Sequence, residues 1–92
     1  MLRPEQIRTQ IESALPSAKA LVQDSTGTGD HFEVIVIAPA FEGKNLVEQH
    51  QLVYGALRQQ LKSEAIHALA LTTRTPTEWE QERNKGALHV VR

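Results

Sequence analysis

His31 and His67 are the residues of this chain best suited to bind a metal: each opens a β-like run, and the chain contains no cysteine. An imidazole binds iron or zinc through a neutral ring nitrogen, so two on one rim would leave coordination positions open for ligands from elsewhere. Iron–sulfur clusters normally take thiolates, yet histidine can replace cysteine on one iron, which raises the potential and makes ligation pH-sensitive. A cysteine-free chain could thus hold half of a cluster. The competing reading is that His67 starts a strand and hydrogen-bonds a neighbour while His31 is solvated in a loop. The two histidines alone do not decide between these.

The other candidates are weaker. His50, in Glu48-Gln49-His50-Gln51, lacks the His-Glu-x-x-His spacing that puts two imidazoles and a base on one helix face, and reads as a surface or partner-facing residue. His89 reads as solvated near the C-terminal end. Ser13, Ser17, Ser25 and Ser63 have no base and orienting acid at a known spacing, so nothing points to hydrolysis or transfer chemistry. Gly29 and Gly43 fit turns that need positive φ; no Gly-x-Gly-x-x-Gly or Walker loop is present. Phe41 and Trp79 read as core filling, and Tyr54 stays open between core and contact surface.

Composition narrows the function classes. The chain has 92 residues, 40% hydrophobic and 23% charged, which suits one small domain with a modest core and no deep private pocket. Without cysteine there is neither a disulfide framework nor a thiolate nucleophile. A net charge of −1 offers no broad basic field for a phosphate backbone. Met1-Leu2-Arg3-Pro4-Glu5-Gln6 carries charge where a secretory signal would be apolar, and no stretch nears the roughly 18 apolar residues of a membrane span. The expectation is a cytoplasmic protein without a membrane partner.

These side chains need elements to position them. Ile7, Ile11 and Leu15, with Ala14 beside them, recur at helical spacing between Pro4 and Pro16 and predict a first helix. Residues 19–23 read as a short strand, 25–30 as a turn segment, and 31–37 as an apolar strand closed by Pro39. A helical region follows in which Leu46, Val53, Leu57 and Leu61 share a stripe, with Gly55 suggesting a break near Tyr54. Residues 66–73 read as the third strand. Thr75, Pro76 and Glu78 then form a capping box for a short helix through Trp79 to Arg83. The expected fold is α+β, a single domain of order α-β-β-α(α)-β-α, with a three-stranded mixed sheet and helices on one face. Residues 1–84 would form the domain and 85–92 a flexible C-terminal tail. If the second and third strands are parallel, their N-terminal ends, and with them His31 and His67, meet at one end of the sheet.

Five short stretches occur in a telling order: Gly29-Asp30-His31-Phe32, Ala40-Phe41-Glu42-Gly43, Leu52-Val53-Tyr54, Ile66-His67-Ala68-Leu69 and Thr75-Pro76-Thr77-Glu78-Trp79. The ordered set, from about Pro4 to Arg83, resembles the BolA family. The resemblance implies a class II KH-like fold and a non-enzymatic adaptor that pairs with a monothiol glutaredoxin and glutathione around a shared [2Fe-2S] cluster, in cluster trafficking or iron homeostasis. It also implies that His67 is the principal cluster ligand. A second ligand in such proteins comes from the loop before the middle strand. Thr28 stands where one subgroup carries cysteine, and His31 is the nearby histidine left for the role. Some relatives are described as transcriptional regulators, so DNA binding is the alternative function. A KH domain, however, grips nucleic acid through a Gly-x-x-Gly loop that this chain lacks. Self-association stays open.

Overall fold

The computed structural model describes the backbone of residues 2–91 and the side chains of residues 2–84. Helix α1 (Pro4–Ala14) leads to strands β1 (Lys19–Asp24) and β2 (His31–Ile37) and a single 3-10 turn (Pro39–Phe41). Helices α2 (Leu46–Ala56) and α3 (Arg58–Lys62), strand β3 (Ala68–Arg74) and helix α4 (Pro76–Val91) complete the order. This is the expected α+β succession.

The start and stop of each helix follow from local chemistry. Pro4 begins α1, where its missing N–H costs nothing, and the Gln6 side chain accepts the Arg3 N–H at 2.8 Å. Asn45 and Glu48 form a reciprocal capping box on α2, with bonds of 2.9 and 3.0 Å. Thr75 and Glu78 cap α4 in the same way, as their spacing predicted. Helix α4 is longer than expected, since its backbone continues to Val91. The side chains of the proposed tail, His89 among them, lie outside the described residues. The break between α2 and α3 falls at Leu57 instead of near Tyr54. Gly55 stays helical; Leu57, fully buried, pivots there, with its N–H reaching both Val53 and Tyr54 carbonyls.

The sheet has the order β1-β2-β3, antiparallel between β1 and β2 and parallel between β2 and β3. Alternation sends Phe32, Val34 and Val36 inward against α1 and α2, where Ile7, Ile11, Val53 and Leu57 meet them in one buried cluster. Each such side chain contributes on the order of 2 kcal/mol through burial. Phe41 is fully buried, as expected, and Trp79 is half-buried. Leu46 departs from the expected stripe: it is 61% exposed, because the first turn of α2 overhangs the core. Ile66 is buried but precedes β3, which begins at Ala68. Among the described residues no helix is long and apolar enough to cross a membrane.

One buried polar network locks the crossover. The Gln49 amide donates to the Phe41 carbonyl at 3.2 Å and the Lys44 carbonyl at 2.9 Å, while its oxygen accepts the Thr73 hydroxyl at 2.7 Å. Helix α2, the turn before it and β3 are thereby joined at fully satisfied groups. Gln49→Leu would roughly keep the volume and leave the buried Phe41 carbonyl and Thr73 hydroxyl without this partner. We expect it to lower unfolding stability by about 2–4 kcal/mol, measured by urea denaturation, with Thr73→Val costing roughly half as much.

Candidate functional site

The parallel pairing of β2 and β3 builds the site. His31 stands opposite Ala68 in the register, so His67 lies one residue outside the ladder at the same end of the sheet. The Asp30 carbonyl accepts both the His67 N–H at 2.7 Å and the Ala68 N–H at 3.2 Å, which ties the two strand starts together. The rings of His31 and His67 meet edge to face, with centroids 6.1 Å apart and planes at 88°.

Between them sits a carboxylate that the sequence reading did not single out. Asp30 Oδ1 accepts from His31 Nδ1 at 2.7 Å, and Oδ2 faces His67 Nδ1 at 3.3 Å. The Thr28 hydroxyl donates to Oδ1 as well. Thr28 thus acts on the carboxylate. Its hydroxyl bond to the carboxylate, followed by the bond from His31, holds the Asp30 carboxyl below its ordinary value of 3.8; partial desolvation opposes this, and the charges of His31 and His67 add to it. The available signal for Asp30 was an acid immediately preceding a histidine at the N-terminal end of a parallel strand. In the sequence it reads equally well as one more turn residue.

The loop that presents this trio is itself held by a second carboxylate. Asp24 Oδ1 accepts the N–H groups of Thr26 at 3.3 Å and Gly27 at 2.9 Å, and Oδ2 accepts that of Gly29 at 2.9 Å. Gly27 and Gly29 both have φ of 77°, which suits glycine and lets the chain curl around Asp24. The Ser25 N–H closes the turn on the His31 carbonyl at 2.9 Å.

Both imidazoles remain accessible, with side chains 41% and 53% exposed for His31 and His67. Nδ1 of His31 is hydrogen-bonded to Asp30 and Nδ1 of His67 faces the other carboxylate oxygen, so Nε2 is the nitrogen of each ring that lies away from the carboxylate. Two nitrogen donors on an open rim suit an ion or cluster that takes its other ligands from a second molecule. Among the described residues no set of three or more His, Cys, Asp or Glu side chains is arranged to enclose a metal ion. His50 is elsewhere, half-buried on α2 with its ring 6.0 Å from that of the exposed Tyr54.

A small α+β domain with a histidine pair on the rim of a mixed sheet is the class these features define. The BolA-like protein family matches residues 1–78. The chain belongs to the BolA family. It is 36% identical over 75 residues to the Acid stress protein IbaG of Escherichia coli, covering 80% of this chain and 89% of the relative. With Protein BOLA2 of Arabidopsis thaliana it shares 38% identity over 89 residues, covering 95% and 94% of the two chains. The structure of a bolA protein homologue from Coxiella burnetii superposes with a TM-score of 0.71 at 41% identity, over 87% of this chain and 99% of the other.

A depressed carboxylate pKa carries a definite sign. The ionised Asp30 interactions are fully present above the ordinary value of 3.8 and are lost as pH falls below it through the folded-state value. Thr28→Val removes the largest cause of the shift. A carbon-13 NMR titration of the Asp30 carboxyl should therefore give a lower midpoint in the parent protein than in Thr28→Val; equal midpoints would refute the assigned cause.

Proposed function

We propose that this chain is a non-enzymatic adaptor that pairs with a monothiol glutaredoxin and shares a [2Fe-2S] cluster with it, in iron–sulfur trafficking or iron homeostasis. The observation that carries this reading is the pair of accessible imidazoles on one rim, with each Nδ1 turned to Asp30 and each Nε2 left for a ligand role. His67 is the principal ligand and His31 the second. Two nitrogens fall short of the four ligands that a two-iron cluster takes, so the partner contributes a cysteine and a glutathione thiolate. The cluster is cargo held at the junction, and imidazole ligation would give it a higher potential and a sensitivity to protons. The name of the relative, an acid stress protein, accords with a site whose ligands acid would disable.

Co-expression with a monothiol glutaredoxin, then visible absorption and iron and sulfide analysis, tests the reading. The isolated chain should be colourless and the heterodimer coloured. A stable cluster on this chain alone would defeat the shared site. His67→Ala should lose or strongly destabilise the shared cluster while circular dichroism stays unchanged, because the ring is half exposed and its backbone N–H still reaches Asp30. His31→Ala should do less.

Protons compete with iron for an imidazole nitrogen, so ligation can be separated from mere proximity by pH. On mild acidification the heterodimer should lose or alter its cluster absorption at a pH where a glutaredoxin homodimer keeps its own. Superimposable pH profiles for the two species would show that histidine does not ligate.

A further inference from the structure

We propose that Asp30 is a positioning residue that holds both His31 and His67 in the Nδ1–H tautomer, so that both present Nε2 outward as metal donors. The inference rests on the reading of these histidines as ligands, and it assigns to the chain the group that prepares them. An imidazole in water is free to place its proton on either nitrogen, and a neutral ring can ligate only through the nitrogen that lacks it. The hydrogen bond made by the other nitrogen selects the tautomer. Here one carboxylate meets two rings, Oδ1 at 2.7 Å from His31 Nδ1 and Oδ2 at 3.3 Å from His67 Nδ1. An ionised carboxylate can only accept, so the hydrogen bond puts the proton of His31 on Nδ1, and the negative charge of Oδ2 lying 3.3 Å from His67 Nδ1 favours the same tautomer there.

The carboxylate is itself fixed. The Thr28 hydroxyl donates to Oδ1, and the Asp30 carbonyl is held by the N–H groups of His67 and Ala68. The side chain and the backbone of one residue therefore govern both the distance between the two rings and the nitrogen each offers. A carboxylate or carbonyl partner on the remote nitrogen of a ligating histidine raises its basicity, and loss of such a partner typically lowers metal affinity by about 10–100-fold. One acid shared between two histidines makes their preparation a single event.

Asp30→Asn gives the sharpest test, because an amide keeps the shape but can accept at only one of its two ends. Thr28 and His31 both donate to Oδ1, so the amide oxygen should remain there and the amide NH2 should face His67. A donor facing His67 Nδ1 moves the proton of that ring to Nε2. Long-range proton–nitrogen NMR of the metal-free chain, at mildly alkaline pH, reads the tautomers directly. The parent protein should show Nδ1–H on both rings. Asp30→Asn should switch His67 to Nε2–H and leave His31 unchanged, and Asp30→Ala should release both. Nε2–H on His67 in the parent, or rings indifferent to both substitutions, would overturn the proposal. In complex with a monothiol glutaredoxin and glutathione, Asp30→Asn should shorten the cluster lifetime by about 10-fold or more, with heterodimer formation unchanged. Switched tautomers with an unchanged lifetime would refute the positioning role while leaving ligation intact. Failure of the parent heterodimer to hold any cluster would instead fall on the proposed function, with the tautomer result still deciding the role of Asp30.

Discussion

The backbone carbonyl of Asp30 is the point on which the site depends. By accepting from His67 and Ala68 it begins the parallel ladder between β2 and β3, and that ladder runs without interruption from the His31–Ala68 pair to the Ile37–Arg74 pair. Parallel strands bring like ends together, whereas antiparallel pairing would have put His67 at the far end of β2. A shift of one residue would turn His31 to the other face of the sheet. The inward set of Phe32, Val34 and Val36 resists such a shift, since all three are buried against the helices.

Long-range order at the rim is therefore enforced from the core outward. Helices α1 and α2 cover the inner face, and the Gln49 network ties the start of α2 to the end of β3 through Thr73. A second polar pair works at the other end: Gln10 and Gln60 exchange amide bonds of 2.9 Å, linking α1 to α3. Every buried side-chain nitrogen or oxygen among the described residues has a partner. The two rim histidines, by contrast, keep about half of each side chain on the surface.

The rim has an economical design for a protein of this size. Two imidazoles on strand starts need no enclosed cavity. Their placement is set by the pairing of the two strands, and a carboxylate in the adjoining loop lies between them. Asp24 keeps that loop in shape through three backbone N–H groups, with glycines where the curl requires positive φ.

Much of the fold was legible in the sequence, because the relevant signals are local. Helical spacing of Ile7 and Ile11, the apolar run after His31, the turn glycines and the capping box at Thr75 each act within a few residues. The family and the histidine pair were legible for the same reason, as short ordered motifs. Boundaries that depend on packing were not: the break at Leu57 is set by a buried side chain, and the exposure of Leu46 by where α2 leaves the core. Asp30 shows the limit most clearly. In the sequence it is one acid in a turn, adjacent to His31 and distant from His67. Only strand pairing brings His67 to its second oxygen, because the attraction between a carboxylate and an imidazole acts over distances of a few ångströms that arise when residues far apart in the chain are packed side by side.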